Sequence, residues 1–356
     1  MKRIAWFVTI MVFLLALVLG MEACQTPADS TQSTDAAQKG ATYTVMAPNG
    51  APALALSKMM KDNAEVNNHP LTYSVIGDNA TTTLPAHMET GDADFIIAPT
   101  NVGVQKAITN GKYYLLGVTS WGNLYIVTTN DAYKTLDDEA YASMSDADAA
   151  KAFLSQFADH SISSIGQNQV PDKTIKELLK IAEVTCTVAN SETAGKIQDA
   201  LIQHEIDCAL LGEPAVTATK AVLAKNSVTG YRILGSVSAL WQSLTGLAYP
   251  QAGIFVKKSV VEAADGAATV AAFETALTRS IEYLNAGEDN AAELGNYMES
   301  RGDNTIKGAI IKQCYLRCAQ SYRPAAQCKE DVKRLVAVLV PTLADQSYDQ
   351  IFYNAQ

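Results

Sequence analysis

Apolar and polar positions follow one plan twice along this chain. Residues 45–101 contain VMAPNGAPALAL and LTYSVIGDNATTTLPAHMETGDADFIIAPTN, and residues 163–217 contain SSIGQNQVPDKTIKELL and VTCTVANSETAGKIQDALIQHEIDCALLGEPAVT. Each stretch reads as strand, loop, helix, strand, loop, helix, strand. A proline, Pro52 or Pro171, opens the first segment with helical apolar spacing; proline suits the first helical turn, where its missing N–H would be unpaired anyway. β-rich runs follow at residues 73–76 and 184–188, then loops of Ser, Thr and Asn that supply N-caps. The second helix of each copy closes on an acidic turn, GDAD or HEID, and the apolar runs FIIAPTN and CALLGEP end at a proline. Helices alternating with wholly apolar strands predict parallel sheets covered on both faces, hence an α/β chain with two lobes of similar plan. Ligands on such sheets sit beyond the C-terminal strand ends, where loops and helix N-termini gather.

Between the repeats the pattern predicts a helix near residues 102–109, strands at 113–119 and 124–128, and an acidic, alanine-rich surface insertion at 131–159 with helical spacing around 147–157. After the second repeat come a helix behind Pro214, a strand at 231–234, a return strand at 253–256, and amphipathic helices at 270–286 and 329–343 that complete the first lobe. One strand leaves the first lobe and one re-enters it, so two crossings form a hinge. The expected organisation is a first lobe of residues 41–128 and 250–356 and a second lobe of residues 129–249.

The N-terminus changes the setting. Lys2 and Arg3 precede an apolar run at residues 4–19 and then Gly-Met-Glu-Ala-Cys, the layout of a cleaved export signal at residues 1–23. The run is short for a membrane span, which needs about 20 apolar residues. Cys24 is the expected lipidated residue of a bacterial lipoprotein, with an ordinary cleaved signal or a simple anchor as the competing reading; Met21 and Glu22 depart from the usual lipid-attachment pattern. Residues 24–40 lack an apolar period and read as a solvated tether. The protein is thus expected to work outside the cytoplasm, lipid-anchored to a bacterial membrane.

The length of 356 residues suits two lobes. A net charge of −10 excludes a nucleic-acid partner, which would need a basic face. Cys186 and Cys208 fall in apolar strands as small buried thiols, while Cys314, Cys318 and Cys328 allow one structural disulfide from Cys328 to either of the other two. Their spacing has no histidine nearby, so no metal site is expected.

Taken as a set, PNGAPALAL, GDADFIIAPTN, LLGVTSWGNLYIV, GQNQVPDKTIKELL, LLGEPAVT and YPQAGIFV resemble the solute-binding proteins of ABC importers, in the nitrate, sulfonate, taurine and thiamine-precursor group. The resemblance implies a two-lobed type II periplasmic-binding-protein fold, each lobe a mostly parallel sheet flanked by helices, with the two crossover strands as hinge. It also implies a monomer that closes on a small molecule and delivers it to a membrane permease. The acidic insertion and the cysteine-bearing C-terminal end depart from the group's pattern and leave the ligand open.

Candidate ligand-binding residues follow from the strand ends: Asn49 and Gly50 before the Pro52 helix, Asn79 and Thr81 in the polar loop, Thr100 and Asn101 after FIIAP, Trp121, Gln167, Asn168 and Glu213. All but Thr100 and Asn101 have a plainer reading: a turn for Asn49 and Gly50, N-capping for Asn79, Thr81, Gln167 and Asn168, core packing for Trp121, a hinge salt bridge for Glu213. Trp241 has a weaker claim than Trp121. The seven expected cleft loops (48–51, 78–83, 99–101, 120–123, 167–169, 190–193, 212–214) carry no Lys or Arg but include Asp78, Glu192 and Glu213. A planar or nitrogen-containing metabolite is therefore expected, with Trp121 stacking on it and Glu213 accepting its N–H. No cofactor is expected. An enzyme on the same fold, like a pyrimidine synthase with its cysteine-rich active site or menaquinone-pathway enzymes, is the second reading; these loops hold no cysteine cluster, the expected address is not cytosolic, and no phosphate loop or nucleophile motif occurs. A lipoprotein receptor or adhesin is the third reading.

Overall fold

The computed structural model describes residues 40–77 and 80–354. It contains twelve strands: β1 (Tyr43–Pro48), β2 (Glu65–Val66), β3 (His69–Ile76), β4 (Phe95–Pro99), β5 (Tyr113–Ser120), β6 (Leu124–Thr128), β7 (Ser161–Ile165), β8 (Thr187–Ser191), β9 (Cys208–Gly212), β10 (Arg232–Ser236), β11 (Ala252–Lys257) and β12 (Gln320–Pro324). They form a seven-stranded sheet, β12-β5-β11-β4-β1-β3-β2, and a five-stranded sheet, β10-β6-β9-β7-β8.

The sequence repeat becomes a topological one. In the first sheet β1 pairs in parallel with β3 and β4, and in the second β7 pairs in parallel with β8 and β9. Beside β4 lies antiparallel β11, and beside β9 lies antiparallel β6. Each antiparallel strand thus arrives from the other half of the chain. The structure corrects one boundary here: β6, expected in the first lobe, is hydrogen-bonded within the second sheet, because the crossing is made earlier, by Trp121, Gly122 and Asn123.

Strand alternation explains the cores. Phe95 and Ile97 of β4 join one apolar cluster and Ile96 and Ala98 another, because successive side chains leave opposite faces of the sheet. On the first face the helix Gly266–Asn285 stacks Phe273 on Phe95 at 3.8 Å between ring centroids. The opposite face continues without a break into the second sheet, through Trp121, Leu124, Trp241 and Tyr249 to Ile162, Cys208 and Leu210. The far face of the second sheet has its own cluster around Val127, Ala209 and Leu211.

Three further expectations change. The acidic stretch is more than a surface insertion: Tyr133, Tyr141, Phe153, Leu154 and Phe157 are buried, and the helix Asp146–Ser155 takes its N-cap from Ser145. Its acidic residues occupy the outer face while the aromatics fill the core. The C-terminal helix Lys329–Leu339 also serves both lobes, packing on the helices Thr100–Asn110 and Val170–Ile181, with Lys173 Nζ donating to the Leu339 carbonyl at 3.1 Å. Finally, all five described cysteines are free thiols. Cys314 and Cys318 lie in the cluster on one face of the first sheet and Cys328 in the cluster on the other, so the expected pairing with Cys328 is not made. Among the described residues no helix is long and apolar enough to cross a membrane. Cys24, the signal and the tether as far as residue 39 lie outside the described residues.

Candidate functional site at the facing sheet edges

Three residues separate Ser120, at the C-terminal end of β5, from Leu124, at the start of β6. Leu124 lies opposite Gly212, the C-terminal end of β9, so this short crossing sets the C-terminal edges of the two sheets against each other. The return crossing reaches Ala252, which pairs with both Pro99 and Ser120 at the same edge.

Two amides tie the crossings together. Gln251 Nε2 donates to Asn123 Oδ1 at 2.7 Å, and the Asn123 backbone N–H donates back to Gln251 Oε1 at 2.9 Å. Asn123 Nδ2 donates to the Glu213 carbonyl at 2.7 Å, while the backbone N–H of Thr100 donates to the Gln251 carbonyl. Gly122 has a φ of +108, a conformation that favours glycine, and a Cβ there would come within 2.6 Å of Ser238 Cβ. The sequence reading passed over Asn123 and Gln251; an amide in each crossing segment was the available signal.

On the first sheet's edge, buried polar atoms lack partners in the structure: Thr100 Oγ1, Asn101 Oδ1, Ser120 Oγ and Gln320 Oε1. Thr100 and Asn101 open the helix Thr100–Asn110, whose N-cap, Pro99, makes no side-chain cap. Gln320 pairs in register with Ser120. Buried polar groups are nearly always hydrogen-bonded, so four unpaired ones on one edge mark a place where partners from outside the chain can be received. From the second sheet, Ser164 Oγ on β7 is also buried and unpaired.

The other nominated groups are engaged by the chain itself. Glu213, whose side chain is wholly buried, accepts from the Thr217 amide at 3.0 Å, from Thr217 Oγ1 at 2.9 Å and from Arg317 Nε at 2.7 Å. The salt-bridge reading of Glu213 is the one the structure draws. Burial pulls the Arg317 guanidinium down, but the hydrogen bond and charge of Glu213 more than offset this and leave it raised. Trp121 Nε1 donates to the Ser321 carbonyl at 2.8 Å, and the Arg323 guanidinium lies 3.9 Å from its ring centre, so that face is covered. Asn49 Nδ2 donates to Thr305 Oγ1 at 2.7 Å, and Tyr125 OH to the Arg317 carbonyl at 3.0 Å. The stretch 305–323 is therefore a strap along the edges, and it brings Arg317 and Arg323 to a place where the seven loops had none.

Gln167 and Asn168 are exposed on the turn before the helix Val170–Ile181. The Asn168 amide N–H donates to Asp172 Oδ2 at 2.8 Å; the buried Asp172 also receives Asn190 Nδ2 at 2.9 Å and Lys176 Nζ at 2.8 Å. Gly50 approaches the opposite lobe, a Cβ built on it falling 4.0 Å from Pro214 Cδ. Thr81 is exposed in the first turn of the helix Ala80–Thr90, and Glu192 forms a surface ion pair with Lys196. Trp241 is core, 5.5 Å from the Tyr249 ring. Asn79 and Asp78 lie outside the described residues. Among the described residues no group of three or more His, Cys, Asp or Glu could hold a metal ion.

Two sheets with parallel cores, exchanging one antiparallel strand each and meeting edge to edge across two short crossings, define the two-lobed type II periplasmic-binding-protein fold. Solved structures bear this out. An ABC transporter from Parabacteroides distasonis matches with a TM-score of 0.69 at 18% identity, over 88% of this chain and 99% of its own. The periplasmic aliphatic sulphonate binding protein SsuA from Escherichia coli matches with a TM-score of 0.62 at 13% identity, over 89% and 92%. The periplasmic nitrate-binding protein NrtA from Synechocystis matches with a TM-score of 0.57 at 11% identity, over 87% and 83%. No family model matches the chain, and a search of curated proteins finds no match. At these identities the likeness is one of fold.

Proposed function

We propose that this chain is a solute-binding protein of an ABC importer, capturing one small molecule between the facing sheet edges and passing it to a membrane permease. The observation that carries the reading is the set of buried, unpaired polar atoms on Thr100, Asn101, Ser120 and Gln320 at the first sheet's edge, with Ser164 Oγ on the second sheet also buried and unpaired. A ligand that supplies those partners from both lobes favours the closed arrangement by its differential affinity. The neighbours named above are transport proteins, and two are described as binding a sulphonate or nitrate. Asn49, Gly50, Thr81, Gln167 and Asn168, with Asn79, form the rim in this reading.

The preference for a planar, nitrogen-containing ligand rested on Trp121 and Glu213, and both now have partners within the chain. The ligand is better described as a small polar molecule that both donates and accepts hydrogen bonds. A thermal-shift screen across purines, pyrimidines, amines, sulfonates and nitrate tests the reading, because a ligand bound to the native state raises the melting temperature. Stabilisation by one class, abolished in Thr100→Val, supports it; no stabilisation by any class tells against it. In the same reading the protein works outside the cytoplasm as a monomer, held by a lipid on Cys24 and a tether over residues 25–40. Mass spectrometry of the mature N-terminus tests the anchor, and an unmodified terminus elsewhere would refute it.

A further inference from the structure

A cavity of about 380 Å³ lies at the outer edge of the five-stranded sheet, and none of the unpaired strand-end atoms belongs to its lining. One wall is edge strand β10 with the first two turns of the helix Ala215–Lys225; the other is the helix Gly308–Cys314 and the turn that follows. Its volume falls within the range of small-molecule sites.

The lining carries three cations, Lys220, Arg232 and Arg317, and no carboxylate. Two carboxylates adjoin it: Glu213 has its oxygens committed to Thr217 and to Arg317 Nε, and Asp131 is paired with Arg232. Arg317 Nη2 donates to Thr217 Oγ1 and the Gln313 carbonyl, which leaves its Nη1 without a hydrogen bond among the described residues. Arg232 is paired with Asp131 and donates to the Asn130 and Tyr133 carbonyls, so it contributes field more than free donors. Lys220 is exposed and forms no ion pair among the described residues. Two cationic groups with unspent donors therefore face one space, floored by the apolar side chains of Val216 and Ile233.

We infer that this cavity is a binding site for a small oxyanion-bearing molecule, its carboxylate, sulfonate or phosphate group received by Lys220 and Arg317. Charge-assisted hydrogen bonds to delocalised oxygens are the strong interactions available to a guanidinium and an ammonium in this setting. A cationic ligand would meet three like charges, and the two adjoining carboxylates are already paired with Arg317 and Arg232. Because the walls come from both lobes, an occupant would bridge them on the flank where Arg317 already reaches Glu213.

Isothermal titration calorimetry on the whole chain tests this with benzoate, benzenesulfonate and inorganic phosphate as probes. Saturable binding of at least one probe is expected, weakened about tenfold or more in Lys220→Gln and by raising salt to about 0.5 M, and unchanged in Lys225→Gln on the same helix. Binding by the aromatic acids alone assigns an organic acid; binding by phosphate alone assigns an inorganic tetrahedral anion. Gln313→Trp, at an exposed lining position, plugs the cavity while keeping every charge and should also remove binding. Absence of saturable binding by all three probes, or equal affinity in wild type, Lys220→Gln and Gln313→Trp, would overturn the inference. A metabolite bound at the strand ends should stabilise Lys220→Gln as much as wild type, which separates failure of this site from failure of the cleft.

Discussion

Along the first sheet's edge, Thr100, Asn101, Ser120 and Gln320 hold buried polar atoms without partners; along the second, the two buried carboxylates, Asp172 and Glu213, are each met by three donors. The two edges descend from the same repeat and share one topology. What differs is which side chains the second copy gained: an aspartate one residue after Pro171, a glutamate where the first copy has Ala98, and an arginine reaching in from the C-terminal strap. A carboxylate buried at a strand end has to be satisfied continuously, whereas hydroxyls and amides can wait for a ligand at modest cost. The second edge is therefore the rigid one and the first the receptive one.

The sharpest way to break that contrast is to attack the rigid edge. Asp172→Ala removes the acceptor of Asn168, Asn190 and Lys176 and is expected to cost about 3 kcal/mol, read as a lowered urea midpoint at unchanged slope. Arg317→Ala leaves Glu213 buried with only Thr217 as partner. Breaking a wholly buried pair costs about 3–5 kcal/mol, but Arg317 keeps 39% of its side chain exposed, so about 2 kcal/mol is expected in the same assay. The receptive edge should behave in the opposite way. Thr100→Val deletes an unpaired buried hydroxyl and should leave stability unchanged or raise it by up to about 1 kcal/mol, while weakening the cleft ligand roughly tenfold or more. Loss of stability there would mean that Thr100 is structural.

The smallest effect belongs to the far ends of the strands. His69 Nε2 lies 2.8 Å from Asp265, with Nδ1 2.7 Å from the Ala41 carbonyl. The hydrogen bond that His69 donates to Asp265 raises the His69 pKa, and the same bond lowers that of Asp265. The raised histidine contributes stability that is full below its unfolded pKa, about 6.5, and is lost as pH rises through the folded value. The lowered aspartate contributes stability present above its unfolded pKa, about 3.9, and lost as pH falls through the folded value. Wild type should thus exceed His69→Gln in melting temperature by more at pH 5.5 than at pH 8.5, with ligand affinity the same in both proteins.

Much of this architecture was legible in the sequence because each repeat pairs a helical period with wholly apolar strands, and prolines mark the joints. The crossing was legible too, although its position was read a strand late, since LYIV is as apolar as the strands of either lobe. The strap was not legible. Arg317 and Glu213 stand 104 residues apart, and QCYLRCAQ carries no pattern that says which surface it lies against. Counting charges in loops that precede helices consequently missed both arginines at the site. The same gap misplaced Cys328: β12 is a five-residue edge strand without apolar alternation, and its insertion puts Cys328 across the sheet from Cys314 and Cys318.

The central claim is that a ligand gathered at the first edge draws the second edge onto it. Small-angle scattering of the whole chain, with and without the metabolite that raises its melting temperature, measures this directly. The account predicts a smaller radius of gyration at saturation, and no such compaction in Thr100→Val at the same ligand concentration. Saturating binding to the wild type with an unchanged radius would contradict it.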